Sequence, residues 1–295
     1  MGSKRSFAAY PLLAPGVGWL LIFFFIPMAA MFKKSLETLH VNPDYSQTYT
    51  FDWNWSNYSD ALSKYHEQFV RAFEYAAIAT ILAFVIAFPL AYVIAFRGGR
   101  WKNLLLLLVI APFFTNYLIR TLAWQTILAD DSWVTRFLDW IGFISLTDAL
   151  GWTTGGHLLA TPLAVVSAIT YNYLAFVILP LYVSLEKIDG RLLEASLDLY
   201  ANRVKAFMRV TLPLALPGVC AGTLLTFIPA TGDYLIAELL GSTQTKMIGN
   251  VIQGQFLVFN NFATASALSF SLMAVVLVLI IIYARVLGTE DVSTV

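Results

Sequence analysis

The sequence predicts an all-α membrane protein with six transmembrane helices and both termini in the cytoplasm. Hydrophobic residues make up 59% of the 295 residues and charged residues only 12%, and the mean hydropathy is +0.72. A typical soluble domain has about 25% charged residues. The apolar residues gather into six stretches, each near the roughly 20 residues that a helix needs to cross a bilayer. The net charge of +0 gives no reason to expect nucleic acid binding.

The six predicted spans cover about residues 10–31, 75–96, 103–128, 158–185, 210–232 and 262–284. The first follows Lys4 and Arg5, as the apolar part of a signal peptide does, but no small-residue cleavage site follows it. We therefore expect this span to be retained. Arg120 interrupts the third span. Residues 1–9 and 286–295 are expected to be short cytoplasmic termini.

The orientation follows from the basic residues, which are enriched on the cytoplasmic side of membrane proteins. With both termini inside, 11 of the 18 basic residues are cytoplasmic: Lys4, Arg5, Arg97, Arg100, Lys102, Lys187, Arg191, Arg203, Lys205, Arg209 and Arg285. The long charged segment 186–213 between the fourth and fifth spans is then cytoplasmic.

Two aromatic segments fall on the opposite side of the membrane in this orientation. Residues 35–70 contain Phe51-Asp52-Trp53-Asn54-Trp55, which is typical of an external loop lying on the interface. Residues 129–157 contain the amphipathic pattern Trp133-Val134-Thr135-Arg136-Phe137-Leu138-Asp139-Trp140. An interfacial belt helix is the expected role of this second segment, and a docking surface for an external partner is the alternative.

The charged segment 186–213 has helical spacing and a specific motif. Leu193 and Leu197 recur at i, i+4, as on one face of a helix. The segment resembles the EAA loop of ABC importer permeases, which reads Glu-Ala-Ala, three residues, Gly, nine residues, Ile, any residue, Leu-Pro. The positions that carry the resemblance and its surroundings are Glu194, Ala195, Ser196, Asp198, Tyr200, Asn202, Arg203, Leu212 and Pro213.

Tyr200 departs from this motif because it occupies the glycine position. Glycine there permits positive φ at the turn between two short helices, a conformation that is costly for tyrosine. Asn202 tolerates such a conformation better, so we expect it to take over the turn.

Further segments resemble the spermidine/putrescine branch of these permeases. They are Ala111-Pro112-Phe113-Phe114-Thr115-Asn116-Tyr117-Leu118-Ile119-Arg120, then Leu179-Pro180-Leu181-Tyr182, and Met247-Ile248-Gly249-Asn250-Val251-Ile252-Gln253. The resemblance implies a type I importer permease fold, a multi-pass protein of the bacterial inner membrane, and polyamine import by alternating access. It also implies three protein partners: a second homologous permease, a homodimeric cytoplasmic ATPase and an extracytoplasmic substrate-binding protein.

The chain has no nucleotide-binding motif of its own, since no Gly-x-x-x-x-Gly-Lys-Ser/Thr sequence occurs in it. ATP and Mg²⁺ are therefore expected on the partner ATPase, with no cofactor, metal or catalytic residue in this chain. In the family, the EAA loop forms the coupling helices that insert into a groove of the ATPase.

Polar residues inside spans are candidates for the substrate pathway, because they are costly in a bilayer. The candidates are Asn116, Tyr117, Trp124, Tyr171, Tyr173, Asp233 and Glu238. The ammonium groups of a polyamine call for carboxylates and aromatic faces, and Asp233 can instead be an ordinary residue of the outer interface. Arg120 would repel a polycation, so a packing role is expected for it.

Other functions fit the sequence less well. A voltage-gated channel needs spaced arginines in the fourth span, but residues 158–185 carry no charge. An intramembrane protease needs a nucleophile and a base within the bilayer, but the histidines at 40, 66 and 157 lie outside the spans or at their edge. An ABC permease for ferric iron, thiamine or phosphonate is the main alternative, and an ATP-independent secondary transporter is the more distant one.

Overall fold

The computed structural model describes residues 9–44, 46–153, 155–200 and 202–287, and regular structure within these residues is mostly helical. The helices are α1 Ala9–Leu20, α2 Ile26–Ser35, α3 Ser56–Arg97, α4 Lys102–Ile110, α5 Tyr117–Ile127, α6 Trp133–Trp140, α7 Phe143–Ala149, α8 Pro162–Glu186, α9 Gly190–Tyr200, α10 Arg203–Ala206, α11 Leu212–Leu214, α12 Leu216–Gly232, α13 Leu235–Leu240, α14 Ile248–Leu257 and α15 Phe262–Leu287. The strands β1 Glu37–Val41 and β2 Gln47–Phe51 pair antiparallel. Of the predicted termini 1–9 and 286–295, residues 1–8 and 288–295 lie outside the described residues.

Four helical segments of the described chain are long and apolar enough to cross a membrane: Leu13–Ser35, Ser56–Arg97, Pro162–Glu186 and Phe262–Arg285. Two bent pairs reach this length only together. Gly99–Phe114 and Tyr117–Ile127 meet at 95°, and Arg203–Leu214 and Leu216–Gly232 meet at 65°. Counting each bent pair as one span gives the predicted six. The third and fifth predicted spans are thus broken helices, a form that is tolerated where the freed backbone groups find other partners.

Residues 35–70 differ from the predicted interfacial loop, because most of them are regular structure. The strands β1 and β2 form a hairpin in which Glu37 pairs with Phe51 and Val41 with Gln47. Threonine, tyrosine and phenylalanine in Gln47–Phe51 favour a strand. Helix α3 then starts at Ser56, far before the predicted start of the second span at residue 75, and has a kink at Tyr65.

The segment 129–157, which is predicted to be external, contains helices, as its amphipathic pattern predicts. Ser132 caps α6 by accepting a hydrogen bond from the Thr135 amide at 3.0 Å. Trp133, Phe137 and Trp140 lie at i, i+4 and i+7, and all three side chains are exposed. Gly142, with φ +72, lies in the left-handed region that lets the chain turn into α7.

Two compact units make up the chain, and the candidate site lies within one of them. The first contains the described residues up to His66 together with Val251–Leu277, and the second contains Glu67–Asn250 and the described residues from Val278 onward. In the second unit, a row of alanines on α3 packs against α8: Ala83, Ala87 and Ala91 are fully buried with Val177, Leu181 and Leu185. Small side chains at this spacing allow two membrane helices to approach closely.

Helix α12 also packs tightly on α8 through two glycines four residues apart. A Cβ on Gly218 would lie 2.6 Å from the carbonyl oxygen of Pro180 and 2.7 Å from Oγ of Ser184. A Cβ on Gly222 would lie 3.3 Å from Cα of Val177. The packing of α3, α8 and α12 therefore fixes the position of Asp233, which directly follows α12.

Candidate functional site

The centre of the candidate site is the carboxylate of Asp233, at the junction of α12 and α13. Asp233 is 8% exposed. Its Oδ1 accepts hydrogen bonds from the backbone amides of Leu235 at 3.1 Å and Ile236 at 3.3 Å. Its Oδ2 accepts hydrogen bonds from the phenols of Tyr117 and Tyr173, the latter at 3.1 Å. Three of the predicted pathway residues thus meet at one oxygen atom.

The Asp233 carboxylate has hydrogen bonds but no ionic partner in the described part of the chain. The ion pairs there are Lys34–Glu37, Lys102–Glu186 and His157–Asp130. A buried charge without a counter-ion is costly, and four hydrogen bonds offset only part of that cost. Such a group within a membrane protein favours a role in binding a cation.

Tyr117 is positioned by the break between α4 and α5. Thr115 is extended, with φ −92 and ψ 146, and this interrupts the helix. The side chain of Asn116 then caps α5 by accepting the Leu118 amide at 2.8 Å. Asn116 is therefore occupied as a helix cap, a use that its prediction as a pathway residue did not include.

Arg120 stabilises the same break. Its Nε donates to Oδ1 of Asn172 on α8 at 2.6 Å, and its guanidinium donates to the carbonyl oxygen of Pro112 at 2.7 Å. Pro112 lies in the 3-10 turn Ala111–Phe114 between α4 and α5. The guanidinium also lies 5.5 Å from the ring centre of Phe113 and 5.6 Å from that of Tyr117. These contacts agree with the packing role predicted for Arg120.

Aromatic side chains pack between α5 and α8 and along α8. The rings of Trp124 and Tyr171 are 5.5 Å apart and edge-on, and those of Tyr173 and Phe176 are 6.0 Å apart. Tyr171 is 39% exposed. Trp124 and Tyr171, two of the predicted pathway candidates, thus lie together, and their faces are suitable for an organic cation.

Glu238 has different surroundings and a different hydrogen-bond partner from Asp233. It is exposed, and its Oε2 accepts a hydrogen bond from Nδ2 of Asn250 at 3.0 Å. Nδ2 of Asn250 also donates to the carbonyl of Tyr234 at 2.8 Å, and its Oδ1 accepts the Met247 amide at 3.1 Å. Asn250 therefore fixes α13 and was missed as a site residue, although a lone amide in the apolar run 247–252 is a signal of a buried polar role.

Gln125 is a second supporting residue that the sequence reading missed. Its Nε2 donates to the carbonyl oxygen of Leu239 at 2.6 Å and so joins α5 to α13. Nothing in its spacing distinguishes it from an ordinary polar residue near a helix end.

A cavity of about 350 Å³ is lined in part by Arg120. Its walls are almost entirely apolar, and its polar lining comes from Arg120, Asn172 and Tyr171. Asp233 does not line it. Because its one charged group is a cation, this cavity is unsuitable for a polyamine.

The predicted coupling segment forms two short helices, α9 and α10, on the second unit. Ser196 is 4% exposed and bonds back to the Leu193 carbonyl at 2.8 Å, whereas Glu194, Ala195 and Asp198 are exposed. Two apolar side chains near the turn are also exposed, Leu199 by 79% and Val204 by 66%. The helix pair therefore presents a mixed charged and apolar outer surface.

The base of the coupling segment is anchored in the unit. Ala206 and Thr211 are buried, and the ring of Phe207 lies 5.2 Å from that of Phe88 on α3. Pro213 follows in α11, and Ala215 is fully buried at the bend into α12. Leu212 and Pro213 thus lie beside the 65° bend.

The turn between α9 and α10 is described only at the residues on either side of Ala201. Tyr200 is the last residue of α9, its side chain is outside the described part, and Ala201 is not described. Asn202 takes part in the turn, but its φ of −136 is extended, so the expected left-handed conformation is wrong. Its side chain instead accepts the Val204 amide at 2.9 Å and caps α10, where Arg203 is the first residue and exposed.

Comparison with known structures supports the fold. A bacterial ABC transporter involved in the import of the acidic polysaccharide alginate superposes with a TM-score of 0.66 at 18% identity, covering 98% of this chain and 97% of that chain. The same kind of transporter in complex with a pentasaccharide-bound periplasmic protein gives a TM-score of 0.62 at 19% identity, covering 96% and 94%. The chain thus has the fold of an ABC importer permease.

Sequence comparisons identify the family. The spermidine/putrescine transport system permease protein PotB of Escherichia coli (strain K12) is 35% identical over 91% of this chain and 94% of PotB. PotB of Haemophilus influenzae is 36% identical over 90% of each chain. The inner membrane ABC transporter permease protein YdcU of E. coli is 33% identical over 75% of this chain and 72% of YdcU. The model of the binding-protein-dependent transport system inner membrane component family matches residues 83–287, and this chain belongs to that family.

Proposed function

We propose that this chain is one of two permease subunits of an ABC importer that carries polyamines such as spermidine and putrescine into the cell. The observation that carries the proposal is the 35% identity to E. coli PotB across 91% of the chain. The Asp233 site agrees with it, because a carboxylate without an ionic partner in the described residues, beside two tyrosine rings, suits an alkyl ammonium group.

In this proposal the helices α9 and α10 couple the chain to a homodimeric cytoplasmic ATPase that holds ATP and Mg²⁺. The exposed apolar residues Leu199 and Val204 have the form of a helix that lies in a groove of a partner. The anchored base at Phe207 transmits movement of the ATPase to α3 and to the bend before α12. A second homologous permease completes the pathway, and an extracytoplasmic binding protein delivers the polyamine.

A permease for another small solute, such as ferric iron, thiamine or a phosphonate, is the second candidate function. The similarity to YdcU supports this second candidate, because the name of that E. coli permease states no substrate.

ATP-dependent uptake by the complete complex in liposomes distinguishes the candidates. Radiolabelled spermidine and putrescine should accumulate with ATP, while thiamine, ferric citrate and a phosphonate should not. ATP-dependent uptake of one of the other solutes without polyamine uptake would establish the second candidate. Uptake of polyamine by this chain alone, driven by an ion gradient, would reject the ABC mechanism.

A further inference from the structure

The Asp233 carboxylate is the meeting point of three separate parts of the second unit. Asp233 follows α12, Tyr117 begins α5, and Tyr173 lies in the middle of α8. Both phenols donate to the same atom, Oδ2. This one oxygen therefore joins α5 and α8 to the junction of α12 and α13.

The acceptor capacity of this carboxylate is filled. A carboxylate accepts about four hydrogen bonds, and Asp233 has two from amides and two from phenols. Since Asp233 is only 8% exposed, a cation reaches Oδ2 only after a phenol has moved. The two amide donors belong to the backbone of α13, whereas the phenols lie at the ends of rotatable side chains. The phenols are thus the exchangeable donors.

We propose that Tyr117 and Tyr173 form a clasp on Asp233 that an ammonium group of the substrate opens by replacing their hydrogen bonds. This inference rests on the proposed function for the identity of the cation. An ammonium group is favoured in the exchange, because a hydrogen bond between two ions is stronger than one from a neutral phenol. When the phenols leave, α5 and α8 are released from the α12–α13 junction. Substrate binding and helix movement are in this way the same event.

The clasp makes Tyr117 and Tyr173 positioning residues with a defined effect on the resting complex. As long as they bind Asp233, the arrangement of α5, α8 and α13 seen here is favoured. A ligand must therefore contribute the free-energy difference between this arrangement and the next one. Without the phenol groups, the complex should leave this arrangement in the absence of substrate.

The test is the rate of ATP hydrolysis by the complete complex in nanodiscs, with Tyr117→Phe, Tyr173→Phe and the double variant. Without polyamine and binding protein, the double variant should hydrolyse ATP about tenfold faster than wild type, since hydrogen bonds to a charged group are among the stronger ones. Each single variant should show a smaller rise. The polyamine-loaded binding protein should stimulate the double variant less than wild type. Tyr92→Phe on α3 is the matched control and should leave both rates unchanged.

Two outcomes would overturn the clasp. One is a double variant with the basal and stimulated rates of wild type. The other is a double variant with a lowered thermal midpoint and both rates reduced in proportion, which is the result of a merely structural role. The basal measurement contains no polyamine, so it tests the clasp separately from polyamine uptake by wild type, which tests the proposed function.

Discussion

At the scale of single residues, the chain uses its few intramembrane polar groups in two ways. Arg120 donates to Asn172 and to the Pro112 carbonyl, which Thr115 also hydrogen-bonds, so these polar groups are used within the fold. Asp233 is also fully hydrogen-bonded, but half of its donors are side chains that can rotate away. Asp233 is therefore the group whose charge a ligand can bind once those side chains have moved.

Replacing Asp233 by asparagine tests that charge. The asparagine side chain would keep an oxygen for the amides of Leu235 and Ile236, so the α12–α13 junction should persist. The loss of the negative charge should lower the rate of ATP-dependent spermidine uptake by roughly tenfold or more, as expected for a lost charge-assisted hydrogen bond. Asp131→Asn, at an exposed position, is the control and should transport normally. Unchanged uptake by Asp233→Asn with a normally assembled complex would remove Asp233 from the pathway.

Replacing Arg120 by lysine tests the polar groups that are used within the fold. Lysine has a single ammonium group and cannot reproduce the two divergent hydrogen bonds to Asn172 and Pro112. We expect a loss of about 1–3 kcal/mol of stability, the usual cost when a buried partner is left unsatisfied. The measurement is the thermal midpoint of the purified complex, with the exposed Arg136→Lys as the control. Equal midpoints for the two variants would mean that the bend does not depend on Arg120.

Residue type alone selected Tyr117, Tyr173 and Asp233 as candidates, since polar groups in apolar segments are costly. Their convergence on Oδ2 was not predictable, because the two tyrosines lie 116 and 60 positions from Asp233 in the chain. Sequence could not separate them from Asn116, whose side chain caps a helix, or from Glu238, which bonds Asn250. These uses depend on local backbone directions that only the folded chain defines.

At the scale of elements, glycine and alanine determine how closely the helices of the second unit pack. The alanines of α3 and the glycines of α12 both face α8, which is the most buried of the candidate spans. Small-residue faces of this kind allow van der Waals contact between backbones, the main source of helix association in a bilayer. Helix α8 is thereby held between two close neighbours.

Adding a methyl group at Gly218 should separate α12 from α8. The new Cβ would meet the backbone oxygen of Pro180 at 2.6 Å, which cannot move aside as a flexible side chain can. Overpacking of this kind costs about 1–3 kcal/mol, so Gly218→Ala should lower the thermal midpoint of the complex. Gly222→Ala, with a nearest backbone contact of 3.3 Å, should have a smaller effect, and Gly190→Ala, with open space around it, should have none. A reversed order of the three midpoints would contradict the packing described here.

The long apolar elements were predictable and their interruptions were not. Length and hydropathy are enough to find spans, since a bilayer imposes both. The angles of 95° and 65° depend on side-chain contacts at the breaks, such as the hydrogen bonds that Arg120 donates to Asn172 and to the Pro112 carbonyl. The hairpin was missed because its short strands lie in a segment whose aromatic residues equally suit an interfacial loop.

At the scale of the whole molecule, composition alone indicates a membrane protein, and the motif around Glu194 indicates the family. The direction in which the chain crosses the membrane rests on the basic residues and remains a prediction. It places α9 and α10 on the side of the ATPase and α6 on the opposite side. The exposed apolar residues at these two ends should therefore serve different partners.

Introducing a carboxylate at the α9–α10 end or at the α6–α7 end tests whether the two ends bind different partners. Leu199→Asp introduces a carboxylate on the 79% exposed side chain of α9, where an apolar groove of the ATPase is proposed to bind. This variant should insert into the membrane normally, but the ATPase should no longer copurify with it, and ATP-dependent uptake should be lost. Leu150→Asp, on a side chain that is 65% exposed beyond α7, should retain the ATPase. Retention of the ATPase by Leu199→Asp and its loss from Leu150→Asp would reverse the proposed orientation, because the ATPase can bind only the cytoplasmic end.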